Sequence, residues 1–183
     1  MTMTRWQPTL EGPRLWLRPL TEADRDALYV AADDPELWAG HPFPDRWRPS
    51  QFRIFFDEVM ATRGAMAITD RSSGAVIGSS TFHSYRPKRS EVEIGKTFLA
   101  RSYWGGVYNR ELKHLMLTHA FNYVDGVVFR IADTNLRSRR ACEKIGGSLT
   151  ERIEFIEGPN GPIPFLVYRI TKMQFQAQTT AII

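Results

Sequence analysis

The chain has little cysteine: Cys142 is the single one in 183 residues. No internal disulfide can form, and a reducing cytosol suits such a sequence. It also lacks any apolar run approaching the ~18 residues that cross a bilayer. Its opening MTMTRWQPTLEGPR has no apolar stretch of the kind a secretory signal needs. Charge of one sign is not concentrated either. The 24 basic residues stand against 20 acidic ones, net +4, with a pI near 9.4, and the densest basic run is RSRR, Arg137 to Arg140. Dispersed charge of this kind argues against nucleic acid as the main partner, and RSRR leaves an RNA or ribosome contact only as a third reading, one that predicts steep salt dependence. An anionic small molecule needs two or three such residues at most. Internal repeats and low-complexity segments are missing too.

What is present is ordinary for a globular protein, at 43% hydrophobic and 24% charged residues. The length suits one domain with a sizeable core, read as residues 1–172, followed by a tail at 173–183 for which a frayed terminus is expected. LWLR (15–18) reads as a strand, Pro19 as a break, and Thr21 with Asp24 as a weak capping box opening a helix. Residues 34–50, rich in proline and aromatics, read as a loop. Phe52, Phe55, Phe56 and Val59 then fall at helical spacing. AMAITD (65–70) and AVIGSSTF (75–82) flank RSSG, whose Gly74 suits a hairpin. HSYRPKRS reads as a polar linker and EVEIGKTFL (91–99) as a strand. In the helix that follows, Leu112, Leu115, Met116, His119 or Ala120, Tyr123 and Val124 fall near one face, with Gly126 as the stop. VVFRIAD (127–133) is a strand. NLRSRRACEKIGG is a short helix with Asn135 as N-cap and Gly146 and Gly147 at its end. Two strands, about 149–156 and 164–171, flank the turn GPNG. This order predicts one mixed α/β sheet of about seven strands with helices on both faces.

The stretch RSYWGGVYNRELKHLML, 101–117, passes from an aromatic turn with two glycines into a patterned helix. A helix start offers up to four unpartnered N–H groups and a partial positive charge, and so attracts phosphate. Gly105 and Gly106 would let an anion approach the backbone with no Cβ in the way.

Across residues 10–171 the sequence resembles the GNAT acetyltransferase superfamily, and within it the branch that includes ribosomal-protein N-terminal acetyltransferases. LEGPRLWLRPLTEADRDAL, VIGSSTF, EVEIGKTFLARSYWGGVYNRELKHLMLTHAF, NLRSRRACEKIGG and the closing VYRIT carry the likeness. The resemblance implies a single domain with a mostly antiparallel sheet splayed at its centre, and acetyl-coenzyme A as acyl donor, with no metal. Pantetheine is expected between the EVEIGKTFL and VVFRIAD strands, paired with the backbone of Phe98, Leu99 and Ala100. The diphosphate is expected on Trp104, Gly105, Gly106, Val107, Tyr108, Asn109 and Arg110. Asn135 and Ser138 match positions that contact the cofactor arm, and Arg139 is within reach of a nucleotide phosphate. The family's turn reads R/Q-x-x-G-x-G/A, whereas here Trp104, Val107 and Asn109 take the three defining positions. A β-branched Val107 suits positive φ poorly and fits best if helical.

Acetyl transfer to an amine needs a neutral nitrogen, a polarised carbonyl and a departing thiolate. Neutralising an α-amine of pKa ~8 at pH 7 costs about 1.4 kcal/mol, and a lysine side chain about 4.6 kcal/mol. Glu93 is the first candidate base, with Glu91 at i−2 on the same side as backup. His83 and His41 are weaker candidates, while His114 and His119 read as surface or packing. A backbone N–H from 98–100 would polarise the carbonyl. Many relatives carry a tyrosine after NxxS for the leaving thiolate; this chain has Cys142 there, read as a small buried filler, which leaves Ser138 or water. Thiolate departure costs only about 2 kcal/mol at neutral pH, so a dedicated acid is not required. Trp38, Phe43, Trp47 and Phe52 are candidate acceptor-pocket residues, and Arg46, Arg48 and Arg53 candidates for an acidic acceptor. The sequence therefore reads as a cytoplasmic N-acetyltransferase acting on a protein N-terminus or small amine by direct attack in a ternary complex. A non-catalytic acyl-coenzyme A sensor or interaction module on the same fold is the alternative, and a homodimer is left open.

Overall fold

The computed structural model describes residues 5–158 and 160–180. In chain order the elements are β1 (Leu10–Glu11), β2 (Leu15–Pro19), α1 (Arg25–Ala32), α2 (Pro35–Trp38), α3 (Pro49–Ala61), β3 (Ala65–Asp70), β4 (Val76–Arg86), β5 (Glu91–Leu99), α4 (Val107–Ala120), β6 (Gly126–Ala132), α5 (Leu136–Lys144), β7 (Ser148–Gly158), β8 (Gly161–Thr171) and α6 (Lys172–Thr180). The strands form one 8-stranded sheet in the order β1-β2-β3-β4-β5-β6-β8-β7. The added strand beyond the expected seven is β1, which pairs Leu10 with Leu17. β5 and β6 run parallel; β2–β3, β3–β4, β6–β8 and β7–β8 are antiparallel. This is the mixed, mostly antiparallel sheet that the resemblance implies.

Four sequence expectations are corrected. The 34–50 segment is not simply loop: Asp34 caps α2 by accepting the Glu36 N–H at 2.9 Å, Pro35 takes the first helical position, and a 3-10 turn follows at Pro44–Trp47. The 83–90 linker is shorter than expected, because β4 continues to Arg86 before a 3-10 turn at Pro87–Arg89. The tail is helical to Thr180. Thr171 and Gln174 form a reciprocal cap, in which the Gln174 amide oxygen accepts the Thr171 N–H at 2.8 Å and the Gln174 N–H donates to the Thr171 hydroxyl at 3.2 Å. On the long helix, Tyr123 lies beyond the end and is exposed, whereas Lys113 and Leu117 are buried. Residue 159 of the expected GPNG turn and 181–183 of the tail lie outside the described residues.

Two compact units divide the chain. The first gathers the residues up to Ala39 with Pro44–His83 and Ile94–Met116. Its core follows from helical spacing, since Phe52, Phe55, Phe56 and Val59 share one face of α3 and pack with Leu28 and Ala32 of α1 and Trp38 of α2. The Trp38 indole N–H reaches the Ala32 carbonyl at 2.9 Å, and its ring lies 5.3 Å from that of Phe98. At the start of α4, one Glu111 carboxylate oxygen accepts the backbone N–H groups of both Arg14 and Leu15 at 2.8 Å. That contact ties the first turns of α4 to the β1–β2 hairpin.

The second unit gathers Gly40–Phe43, Ser84–Glu93 and the residues from Leu117 onward. β6 registers on β8 from Gly126↔Thr171 to Ala132↔Phe165. β7 pairs with β8 but shifts register between Leu149 and Ile153. The α6 ring of Phe175 packs 5.3 Å from Phe121.

Candidate active site

β5 carries its two glutamates at alternate positions, so both face the same side. Both are buried. Glu93 pairs in register with Val128, which places Arg130, two residues on along β6, beside it. The Arg130 Nε donates to the Glu93 carboxylate at 2.6 Å. Arg130 Nη1 also donates to Glu154 at 2.8 Å, and Arg86 reaches the other oxygen of Glu154 at 3.3 Å. Burial pushes Glu93 up from 4.5 to about 7, against the pull of Arg130, which favours the ionised form. The same arginine partnership holds Glu154 below its ordinary value against a desolvation effect that raises it. Glu91, the backup base, is held by two guanidinium groups, Arg169 at 2.9 Å and Arg152 at 3.1 Å. That pairing occupies both Glu91 oxygens with guanidinium groups, whereas Glu93 is raised by burial to about 7.

The phosphate-turn candidates belong to the first unit. Ala100 has its N–H on the Ile77 carbonyl at 2.8 Å and its own carbonyl on the Tyr103 N–H at 2.9 Å. The Phe98 carbonyl lies on the same side, against Gly78, where an added Cβ would come within 2.1 Å of it. Alternation along a strand then turns the Leu99 backbone toward the opposite edge. Its carbonyl accepts the Trp104 indole N–H at 2.9 Å. Of the three residues expected to pair with pantetheine, Leu99 alone presents its N–H away from β4. Lys96 adopts φ 48° within β5, a left-handed kink between Glu93 and the Phe98–Leu99 end.

Gly105 adopts φ 78°, and a Cβ added at Gly105 or Gly106 would meet no atom within 4 Å. Val107 is the first residue of α4 and is helical, with its side chain exposed. The unsuitability of valine for positive φ therefore does not arise. The Tyr103 and Tyr108 rings meet edge to face at 5.0 Å. Asn109 and Arg110 lie in the first helical turn, where N–H groups lack intrahelical acceptors. The turn is thus an open helix start with glycine backbone exposed, a fit for a diphosphate.

On α5, Asn135 is the expected N-cap, its side-chain oxygen accepting the Ser138 N–H at 3.2 Å. Arg139 donates to the Tyr168 hydroxyl at 3.0 Å and to the Asp133 carbonyl at 2.9 Å, so two of its three nitrogens are engaged within the unit. Cys142 is buried, and its sulfur lies 2.4 Å from where a Cβ on Gly147 would stand. It is a packing residue, as read from the sequence.

The other candidates scatter. His41 Nδ1 accepts the Phe43 N–H at 3.0 Å and its ring lies 5.8 Å from that of Phe43, a local turn contact. His83 is half-buried on β4, His114 is exposed, and His119 lies against Tyr123 with ring centres 5.2 Å apart. Trp38 and Phe52 are core, not pocket. Trp47 lends its carbonyl to Tyr29 at 3.1 Å. Arg46 lies over Phe55 at 4.5 Å, and burial pushes it down to about 10. Arg48 pairs with Asp45 at 3.0 Å, and Arg53 is exposed. Sequence reading missed Arg130, Arg152, Glu111 and Lys113. Arg130 had a signal, being the one charge inside the strand VVFRIA.

A parallel β5–β6 pair within a mostly antiparallel sheet, a kink inside β5 and a glycine-opened helix start fit the fold that the sequence resembles. Residues 14–148 match the acetyltransferase (GNAT) domain, and the chain belongs to that family. Three similar solved structures are a GCN5-related N-acetyltransferase from Brucella melitensis, the acetyltransferase from Agrobacterium tumefaciens and RimJ from Mycobacterium smegmatis. The first is 19% identical with a TM-score of 0.83, covering 96% of this chain and 83% of that one. The second is 27% identical with a TM-score of 0.68, covering 90% and 95%. The third, in complex with CoA-disulfide, is 17% identical with a TM-score of 0.70, covering 97% and 96%. Among the described residues no helix is long and apolar enough to cross a membrane, and no group of three or more His, Cys, Asp or Glu could hold a metal ion.

Proposed function

We propose that this protein transfers an acetyl group from acetyl-coenzyme A to a primary amine, a protein N-terminus or a small amine, with Glu93 as the general base. The observation that carries this reading is the buried Glu93 carboxylate, oriented by Arg130 at 2.6 Å and raised by burial to about 7. A base is most effective when its pKa lies near the working pH. Bound acetyl-coenzyme A supplies the thioester. The backbone at Leu99 pairs with the pantetheine, while Phe98, whose carbonyl faces Gly78, supports the strand from the β4 side. The turn from Trp104 through Gly105, Gly106, Val107, Tyr108 and Asn109 to Arg110 holds the diphosphate, and the Trp104 indole fixes the turn to the strand end. Ala100, whose two backbone groups are engaged, supports that strand end and does not bind directly. Asn135 holds the start of α5, from which Ser138 or a water gives a proton to the departing thiolate; Arg139 assists at the nucleotide end through its remaining nitrogen. Glu93 takes the proton that the amine loses as its nitrogen bonds to the acetyl carbon and the carbon–sulfur bond breaks.

The RimJ structure contains coenzyme A in disulfide form, and it supports trying coenzyme A as the ligand here. The test has two parts, calorimetry with coenzyme A and thiol release from acetyl-coenzyme A over peptides and amines, for wild type and Glu93→Gln. Binding with turnover that the substitution abolishes supports the proposal. No binding at millimolar coenzyme A removes it. Binding without turnover across the panel leaves the non-catalytic acyl-coenzyme A module.

A further inference from the structure

The second unit places four arginines and three glutamates together. Arg86, Arg130 and Glu154 join Glu93, and Arg152 and Arg169 join Glu91. With all seven groups charged, one cation is in surplus; the two glutamate side chains on β5 are 4% and 6% exposed, and their partners Arg152 and Arg169 are only partly exposed, at 27% and 32%. A partly desolvated cation of this kind is favoured by a further counter-charge.

The surplus has a location. Arg169 passes over Gly126, where an added Cβ would lie 2.5 Å from its guanidinium, and it gives Nε to Glu91. Arg152 gives only Nη1 to the same carboxylate. Its Nε and Nη2 are buried and have no hydrogen-bond partner. Those two nitrogens share one edge of the planar guanidinium, and this parallel pair matches the two oxygens of a carboxylate. The backbone directs the residue there. β7 shifts register between Leu149 and Ile153, and the Thr150 hydroxyl compensates by donating to the Val167 carbonyl at 2.7 Å and accepting the Arg152 N–H at 3.2 Å. Such irregularities re-aim a side chain. The Arg152 side chain is 27% exposed, and engaging an acceptor requires the guanidinium to turn so that its unpartnered edge faces outward.

We propose that Arg152 recognises a carboxylate carried by the acceptor amine, and so makes an anionic acceptor the preferred substrate. This rests on the acetyl-transfer reading with Glu93 as base. It also sets a spacing. Glu91 and Glu93 are two residues apart on an extended strand, about 7 Å, and that rise is the scale proposed for the separation between the anion and the attacking nitrogen. An acidic side chain one residue along a peptide satisfies this spacing, as does an ω-amino acid. The acceptor's own α-carboxylate is too close.

The experiment compares two matched pairs of acceptors, Ser-Asp-Ala-amide with Ser-Asn-Ala-amide and γ-aminobutyrate with its amide, for wild type, Arg152→Gln and Arg152→Lys. The expected wild-type preference in kcat/KM for the acidic member is about 10- to 100-fold, the worth of charge-assisted hydrogen bonds to one guanidinium. It should fall toward one in Arg152→Gln, and most of it should be lost in Arg152→Lys, which keeps the charge near Glu91 but not the fork. The pair that shows the preference separates a peptide from a small amino acid. Equal rates within both pairs, or a preference that survives Arg152→Gln in folded protein, overturn the proposal. Should no acceptor turn over, the acetyl-transfer reading fails separately. Titration of the coenzyme A complex with the two peptides then decides the arginine, because a wild-type Kd no tighter for the acidic peptide overturns it.

Discussion

Replacing Glu93 with glutamine removes the proposed base while keeping a group that can accept from Arg130, and its effect can be worked out against pH. With Glu93 raised by burial to about 7, about one-tenth of the carboxylate is ionised at pH 6 and about nine-tenths at pH 8. The acceptor amine contributes its own limb to the rate profile, but that limb is common to both proteins and cancels in their ratio. The wild-type to Glu93→Gln ratio of kcat/KM should therefore rise about tenfold from pH 6 to pH 8, with a midpoint near 7, on top of an overall loss of about 10²- to 10⁴-fold. Stability gives an independent reading of the same proton. The folded value lies above the unfolded 4.5, so the native state binds the extra proton. The resulting stabilisation is fully present below 4.5 and is lost as pH rises through about 7, amounting to about 3 kcal/mol. Urea unfolding should show wild type losing that much relative to Glu93→Gln across the interval. The contribution of Asp24, which its hydrogen bond with Arg18 pulls down to about 2, is shared and cancels. A rate ratio that stays flat with pH, or a midpoint at the ordinary carboxylate value, refutes the assignment of Glu93.

The helix start can be probed in two further ways. Glu111→Ala removes the acceptor of the Arg14 and Leu15 N–H groups and should cost about 3 kcal/mol in urea unfolding; it should also weaken coenzyme A, and a change below about 0.5 kcal/mol would show that the hairpin does not hold α4. Gly105→Ala and Gly106→Ala should separate conformation from approach. The first forces φ 78° on alanine and should lower stability by about 1 kcal/mol, whereas both should weaken coenzyme A by calorimetry, since neither added Cβ meets protein atoms; unchanged affinity in both removes the turn from the donor site.

The parts of this molecule that could be read from sequence are those written in local periodicity. AMAITD and EVEIGKTFL match β3 and β5 residue for residue, and the spacing of Phe52, Phe55, Phe56 and Val59 gives the buried face of α3. Two misses were also local. Thr171 and Gln174 spell the T-x-x-Q cap that starts α6, hidden in a tail that looked structureless for want of charge. Asp34-Pro35 is an N-cap followed by proline, masked by the surrounding aromatics. The site was harder for a different reason. Glu93 could be named from its strand, but Arg130 becomes its partner only through the parallel register Glu93↔Val128, and Arg152 meets Glu91 only across a sheet whose order places β8 between β6 and β7. No periodicity encodes pairings that distant. The physical oddity of these residues nevertheless marks them. A buried ion pair is weak support for a fold, since an apolar pair of similar volume is often as stable or more so. Keeping Glu93 in a place that raises it to about 7, with Arg130 to orient it, costs stability that packing alone would not require. Such a cost is expected where a chain retains chemistry at the expense of its core.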